Sequence, residues 1–284
     1  MTDEVMETMM PQKIKFTSLP DEDGMLIVDL IEKKSPLSKS VIKKLMVFGA
    51  VFQTIGTKRK RVRKAKTIQK AGNIIECYYD PRIDLSEEFE FKNLYETSHY
   101  GVYLKPSGAL TEGTNSGDQI SLFRHVEKRK KYTHLINRVD RETEGLVVVA
   151  YDSKTQNLLQ QMWRDQVTKK YQAIVLGTIE GSGSFTTEIN KKFTRTDYQC
   201  LETESNKTKV DISLKTERKH QIRIHFSDAG HPVIGDPIYG EKNKNRKGLK
   251  LISYCLEFRD PYSQKDVKVV IPEEKLLFPL DLGQ

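Results

Sequence analysis

Apolar residues recur with helical or strand-like spacing along the chain, and this spacing predicts the type of each element. Towards the N-terminus it predicts two helices and two strands, over 25–31, 38–48, 50–55 and 74–79. Ser38 is a favoured N-terminal cap for the second helix, and Gly49 is a favoured stop. A highly charged stretch lies between the two strands. We therefore expect two small helices and a hairpin, about the minimum that can bury a shared face.

Strands predominate in the rest of the chain. Strand-like patterns occupy 100–104, 145–151, 171–176, 209–215 and 249–258. Helical spacing of apolar residues predicts one helix over 158–163, with Asp152 or Ser153 as its cap, and another over 222–229. Because strands are mixed with few helices, the pattern favours an α+β fold over a regular βαβ array.

The same pattern divides the 284-residue chain into segments, over 1–20, 21–80, 81–97 and 98–284. The first has little periodicity and contains Pro11 and Pro20, so we expect a flexible tail. The second is a small basic module, and the third is acidic and irregular, as is typical of a linker. The fourth is long enough to bury a sizeable core of its own.

Charge is distributed very unevenly. The chain has 47 basic and 39 acidic residues, a net charge of +8. Thirteen of the basic residues lie between Lys33 and Lys70, where there is no acidic residue, so the remainder is acidic on balance. Such a patch favours a polyanion-binding module, and a solvated basic face without a partner is the alternative. The candidate binding residues lie in the charged stretch: Lys58, Arg59, Lys60, Arg61 and Arg63.

Other features of the composition exclude several classes. No apolar run approaches the roughly 18 residues of a membrane helix, so we expect no membrane association. The N-terminus lacks the basic start and apolar core of a signal peptide. Cys77, Cys200 and Cys255 lie far apart, which disfavours a disulfide framework and a zinc finger and fits a reducing cytoplasm.

Asp140 lies in a loop-like stretch between two arginines, Arg138 and Arg141, just before a buried-looking strand. Flanking cations favour the ionised carboxylate, which suits a nucleophile or a base. An exposed loop of mixed charge is the alternative. Further along, Lys170 and Tyr171 open a strand. The tyrosine is a candidate for stacking on a nucleobase and the lysine for contacting phosphate, although most strand tyrosines serve packing.

The stretch 217–225 contains two histidines and a candidate buried arginine. Arg223 lies between Ile222 and Ile224, and a buried arginine needs a carboxylate partner. His220 and His225 are five residues apart, which does not match a usual zinc-binding pair. We therefore expect no metal site.

In this order, the motifs resemble those of the RluA-type pseudouridine synthases. The similarity covers about residues 98–260, and it is carried by 105–108, 137–145, 170–171, 218–225 and 230–240. The region 25–79 resembles the small ribosomal-protein-like module of two helices and a hairpin that often precedes this catalytic domain.

The resemblance implies an isomerase that converts uridine in RNA to pseudouridine, without cofactor or metal, on a mixed, largely antiparallel sheet with flanking helices. Asp140 is then the essential carboxylate, Tyr171 stacks on the uracil, and Arg223 pairs with Asp140. Substrate binding is implied for Arg138, Lys170 and His220. It is also implied for the charged stretch between the two N-terminal strands, the basic hairpin, with Lys58, Arg59, Lys60, Arg61 and Arg63. Large-subunit ribosomal RNA is the expected partner, transfer RNA stays open, and we expect a cytoplasmic monomer.

Two departures from the family pattern keep other functions open. Asn137 replaces the family's histidine, and Glu144 replaces its serine, which predicts like-charge repulsion with Asp140. One alternative is a non-catalytic RNA-binding or ribosome-assembly protein, against which the retention of Asp140, Tyr171 and Arg223 counts. The other is a glycoside hydrolase that uses Asp140 and Glu144 as its carboxylate pair, against which the basic module counts.

Overall fold

A computed structural model describes residues 10–81, 83–84, 86–240 and 248–276. The predicted α+β class is confirmed, and nearly all strand pairs are antiparallel. The helices are α1 (Ile27–Lys33), α2 (Lys39–Phe48), α3 (Leu122–Glu127), α4 (Ser153–Met162), α5 (Gln221–Asp228) and α6 (Glu273–Leu276). The strands are β1 (Gln12–Thr17), β2 (Val51–Ile55), β3 (Lys58–Arg61), β4 (Ile74–Tyr79), β5 (Lys92–Glu96), β6 (Tyr100–Lys105), β7 (His134–Leu135), β8 (Glu144–Ala150), β9 (Thr168–Leu176), β10 (Ser182–Ile189), β11 (Lys192–Glu204), β12 (Lys207–Leu214), β13 (Leu251–Arg259) and β14 (Asp266–Val270).

The described residues form two compact units. The first unit contains those up to Phe89 together with Glu112–His125, and the second contains Glu90–Thr111 and those from Val126 onward. Glu112–His125 belongs to the first unit because Asp118 within it makes ion pairs with Arg61 and Arg63 of the basic hairpin. The sequence placed this segment in the 98–284 domain, so the division by contacts differs there from the predicted boundaries.

In the first unit, α1 and α2 pack on a sheet with strand order β1–β4–β2–β3. The predicted caps of α2 are confirmed: the Ser38 hydroxyl accepts from the Val41 backbone N–H, and Gly49 has the left-handed φ of 87°. The prediction of a flexible tail over 1–20 is wrong for Gln12–Thr17, which pairs with β4; residues 1–9 lie outside the described residues. Ile14 and Phe16 alternate with lysines there and pack against the core, so the short strand follows a period of two.

The second unit is built on a large sheet with strand order β10–β11–β12–β9–β13–β8–β6–β5. β14 and β7 pair with β13 and β8, and β8 runs parallel to β13. The predicted linker is partly wrong, because β5 forms within it as an edge strand of this sheet. α5 packs on the β9–β12 part of the sheet through Ile222 and Phe226, which lie in one apolar cluster with Ala173 and Ile212.

The β10–β11 hairpin was not predicted, because the buried residues of β11 are threonines and β10 has few buried apolar residues. Thr194 and Thr196 are fully buried, and their hydroxyls lie 2.9 Å from the two ring nitrogens of His225 on α5. Burial lowers the pKa of His225 below its ordinary value of 6.5. The hairpin is thereby attached to the helix that carries Arg223. Within the described residues, no helix combines the length and apolar character needed to cross a membrane.

His225 predicts a dependence of stability on pH. Because burial in the folded protein disfavours the charged imidazole, the unfolded chain binds more protons below about pH 6.5, and stability falls as the pH falls. We expect the melting temperature of His225→Gln to decrease less steeply than that of the parent protein between pH 6.5 and 5. Thermal unfolding at several pH values measures this. An equally steep decrease would show that His225 is not the group responsible.

Candidate active site

Arg223 is the centre of the candidate site. Its side chain is 1% exposed, and its Nη1 donates to Oδ2 of Asp140 at 3.0 Å, so the predicted pair is present. The sequence did not predict a second partner, Asp236, whose Oδ2 and Oδ1 accept from Nε and Nη2 of Arg223 at 2.7 and 2.8 Å. Burial disfavours the charged guanidinium, but the hydrogen bonds to Asp236 and Asp140 outweigh it and raise the pKa of Arg223.

Asp236 is the more deeply buried of the two carboxylates. Its side chain is fully buried, whereas that of Asp140 is 24% exposed. Burial raises the pKa of Asp236, but the Arg223 guanidinium and two backbone N–H groups more than compensate and lower it. Asp236 is therefore an ionised anchor, and Asp140 is the carboxylate that solvent or a substrate can reach.

Lys105 fixes the backbone around Asp140. It is fully buried, and its Nζ donates to the carbonyl oxygens of Pro106, Ala109 and Arg141, at 2.8, 2.8 and 3.2 Å. Burial lowers the pKa of this amine to about 7, although nearby carboxylates oppose the shift. The Thr111 hydroxyl donates to the carbonyl of Val139 at 2.7 Å. The loop that presents Asp140 is thus held at the residues on both sides of it.

The two residues that depart from the family pattern, Asn137 and Glu144, both contact other parts of the protein. The Asn137 side chain donates to the Leu146 carbonyl at 3.1 Å and accepts from the Val148 N–H at 2.8 Å. Glu144 forms an ion pair with Lys275 of α6. The ammonium partly neutralises the extra carboxylate, which reduces the like-charge repulsion that the sequence predicted for Asp140.

Tyr171 lies on β9, buried, and on the face of the sheet that α5 covers. Burial raises the pKa of Tyr171, and the charges of Glu217 and Asp140 act on it in the same direction, so the phenol is neutral near pH 7. Ser253 is its neighbour on β13. Gly145 has a φ of 146°, and a Cβ there would lie 2.5 Å from the Ser253 Cβ. The close packing of β8 on β13 at this point therefore requires glycine.

His220 caps the start of α5 and faces Asp140. Its Nε2 lies 3.6 Å from Oδ1 of Asp140, and its Nδ1 lies 3.0 Å from the Tyr239 hydroxyl oxygen. Burial lowers the pKa of His220, and Asp140 opposes this effect. The predicted residues Asp140, Tyr171, His220 and Arg223 therefore lie in one site.

Two other predicted binding residues are Arg138 and Lys170. Arg138 is exposed. Lys170 points away from Tyr171, because neighbouring residues of a strand face opposite sides of the sheet, and its charge acts on Cys255 and Glu257 instead. No role was predicted for Asp236, Tyr239 or Lys105, although each falls within a stretch that resembles the family. Among the described residues, no group of three or more His, Cys, Asp or Glu side chains is arranged to hold a metal ion.

The basic hairpin of the first unit is a second candidate site, and its arginines make internal contacts. Arg59 donates from Nε to Glu76 at 2.6 Å, and its guanidinium lies 3.6 Å from the centre of the Phe52 ring. Arg63 donates to both carboxylate oxygens of Asp118 at 2.7 and 2.5 Å, and Arg61 also pairs with Asp118. Lys58, Lys60 and Lys64 are exposed, and among the described residues their side chains make no hydrogen bond or ion pair.

Removal of the Arg223 guanidinium should destabilise the protein, since it leaves Asp236 buried without its charged partner. We expect Arg223→Ala to lower the free energy of unfolding by about 3–5 kcal/mol, the usual cost of breaking a buried pair. Arg223→Lys should lower the free energy of unfolding by less than Arg223→Ala, but it should not restore the parent value, because an ammonium lacks the planar fork that meets both carboxylates. Urea denaturation measures both values. A loss below about 1 kcal/mol for the alanine variant would contradict the buried ion pair.

Comparisons with known proteins agree with the geometry. Residues 99–228 match the family model of the RNA pseudouridylate synthases. The chain is 32% identical to the ribosomal large subunit pseudouridine synthase D of Nitrosomonas europaea, over 55% of this chain and 51% of that protein. It is 27% identical to the ribosomal large subunit pseudouridine synthase C of Vibrio parahaemolyticus, over 95% and 96% of the two chains.

The chain spans about half the length of the D-type relatives that it matches. Among solved structures, the human RNA pseudouridylate synthase domain containing 1 has a similar fold, with a TM-score of 0.56 and 22% identity, over 65% of this chain and 84% of that one. The human domain containing 4 is similar at a TM-score of 0.52 and 21% identity, over 65% and 90%. The family match over residues 99–228, the relatives and the ordered motifs agree on the same likeness: the chain is similar to the RluA-type RNA pseudouridine synthases.

Proposed function

We propose that the protein isomerises uridine to pseudouridine in RNA, with Asp140 as the catalytic carboxylate. The observation that carries this proposal is the position of Asp140: partly exposed, held by Arg223, and in the same site as the buried phenol of Tyr171. This is the chemistry of the family that the chain resembles, and each of the three residues falls in a stretch that resembles a family motif.

In this reaction the bond from ribose C1′ to uracil N1 breaks, the uracil turns, and C5 bonds to C1′. The hydrogen on C5 leaves as a proton and N1 gains one, so atoms and electrons balance. Asp140 is suited to attack the sugar or base, or to remove a ribose proton, because its carboxylate is partly exposed and is held by Arg223. Tyr171 offers its ring to the uracil. A paired uridine must first leave the stack, which costs a few kcal/mol.

We also propose that the target is large-subunit ribosomal RNA and that the first unit binds it. Support for the substrate comes from the relatives, which are named ribosomal large subunit pseudouridine synthases. Support for the binding unit comes from its thirteen basic residues between Lys33 and Lys70. Phosphate contacts supply affinity and register rather than base readout. Transfer RNA is the alternative target.

The cellular location and the oligomeric state of the protein stay predictions. A cytoplasmic location fits the free thiols of Cys77, Cys200 and Cys255. A monomer also remains our expectation, and gel filtration with light scattering tests it.

Asp140→Asn tests the catalytic role directly. The substitution keeps the size of the side chain and removes its charge, so we expect a folded, RNA-binding protein without detectable isomerisation. The assay is release of tritium from RNA whose uridines are labelled at C5. Near-normal release by the variant would reject Asp140 as the catalytic group. Absence of release by the parent protein on ribosomal and transfer RNA would instead favour a non-catalytic RNA-binding protein.

The lysines and the arginines of the basic hairpin should have different roles. We expect Lys58→Gln/Lys60→Gln/Lys64→Gln to flatten the slope of log affinity against log salt by about two to three, since each phosphate contact contributes roughly 0.7–0.9. Arg59→Gln/Arg61→Gln/Arg63→Gln removes the same charge, but it should chiefly lower the melting temperature, because Glu76 and Asp118 lose their partners.

RNA binding at several salt concentrations and thermal unfolding separate the two variants. A larger change of slope in the arginine variant, with an unchanged melting temperature, would contradict the assignment. In that case the arginines would bind RNA and the lysines would be solvated surface.

A further inference from the structure

The turn over 235–240 contacts both side chains that face Asp140. Asp236 binds Arg223, which donates to Oδ2 of Asp140. Tyr239 contacts His220, which lies beside Oδ1 of Asp140. One short turn therefore controls the surroundings of both oxygens of the candidate catalytic carboxylate.

Asp236 couples the backbone of this turn to Arg223. Its Oδ1 accepts from the backbone N–H groups of Ile238 and Tyr239 at 2.8 and 3.0 Å, and also from Nη2 of Arg223. Its Oδ2 accepts from Nε of Arg223. Because two of the three guanidinium nitrogens are fixed in this way, the remaining Nη1 is directed at Asp140.

Tyr239 couples the same turn to His220. The hydroxyl lies 3.0 Å from Nδ1, and the two rings meet edge to face with centres 5.6 Å apart. His220 has a φ of 57°, a left-handed conformation that costs energy for a residue other than glycine, so surrounding contacts must hold it. Its Nε2 faces a carboxylate oxygen, which only accepts. The favoured neutral tautomer therefore carries its proton on Nε2, and the Tyr239 hydroxyl donates to Nδ1.

We propose that Asp236 and Tyr239 are positioning residues for Asp140: Asp236 orients the Arg223 guanidinium, and Tyr239 fixes the tautomer and orientation of the His220 imidazole. Neither residue needs to touch the RNA. The inference rests on the proposed function, because it assigns these residues to the carboxylate that the proposed reaction uses. It also predicts effects on His220 that can be measured without RNA.

Tyr239→Phe is the sharpest test, because it removes one hydroxyl and keeps the ring. We expect kcat to fall about 5- to 10-fold, the usual value of one neutral hydrogen bond, with an unchanged KM and melting temperature. Tyr198→Phe is the matched control: this tyrosine is half-buried in the same unit and stacks on Phe185, and its kcat should equal that of the parent protein. Asp236→Asn should lower kcat more, by about 10- to 100-fold, because it replaces a charged acceptor.

Nitrogen-15 NMR of His220 supplies the readout that a merely structural role would not change. In the parent protein Nδ1 should show the shift of an unprotonated nitrogen, and in Tyr239→Phe both tautomers should be populated. The titration midpoint of His220 should rise in this variant, because the donor that stabilised the neutral ring is gone. Asp140, Arg223, Lys219 and Asp236 also act on the His220 charge and stay in place in Tyr239→Phe.

The outcomes distinguish this inference from the proposed function. A parent protein that releases no tritium from any RNA defeats the proposed function, while the NMR comparison still decides the role of Tyr239. Unchanged His220 shifts in Tyr239→Phe would overturn the positioning role. The positioning role would also be overturned if Tyr239→Phe had the same kcat as the control Tyr198→Phe. A rise in KM with no fall in kcat would overturn it as well.

Discussion

A buried guanidinium shared by two carboxylates is the constraint on which the candidate site depends. Arg223 is almost completely excluded from solvent, so its charge must be matched inside the protein. Asp236 matches it with two hydrogen bonds in the interior, and Asp140 matches it at the edge, where the side chain is partly exposed. If Arg223 had only Asp140 as a partner, its orientation would depend on the partly exposed residue that we propose to be catalytic. Asp236 supplies a second, fully buried partner that holds the guanidinium independently of Asp140.

The fold supplies this arrangement from three parts of the second unit. α5 carries Arg223 and packs its apolar side on the sheet, while β8 begins just after the loop of Asp140 and β9 presents Tyr171. The loop of Asp140 is held in turn by the buried Lys105, whose amine binds backbone carbonyls on two segments of chain. Buried polar groups are costly unless they are hydrogen-bonded, and here Lys105, Arg223 and His225 all have partners. The buried polar groups around the site are therefore satisfied within the protein itself.

Sequence patterns predicted much of this molecule where apolar spacing was clear. The caps of α2, the helix α5 and the strands β4 and β9 follow directly from periodicity and from capping residues. β1 and β5 were missed because they are short edge strands with few apolar residues. β11 was missed because threonines, rather than aliphatic side chains, are its buried residues, and β10 was missed because most of its residues are exposed.

A carboxylate partner for Arg223 was predicted because a buried arginine between two isoleucines needs one, and the resemblance to the family implied that this partner is Asp140. Asp236 has no such local signal, since only the tertiary fold brings residues 13 positions apart into a bidentate contact. The basic hairpin shows a different limit of prediction from sequence, because its charge pattern was clear but the contacts of its residues were not. Charge alone could not distinguish lysines that face solvent from arginines that bind Glu76 and Asp118.

The most direct test of the central claim is a pseudouridine map of RNA from a strain that lacks this protein. Carbodiimide labelling followed by primer extension stops at each pseudouridine and identifies the position. The account predicts that at least one stop in large-subunit ribosomal RNA disappears in the deletion strain and returns when the parent gene is restored. A map that is identical with and without the protein, in ribosomal and transfer RNA alike, would contradict it.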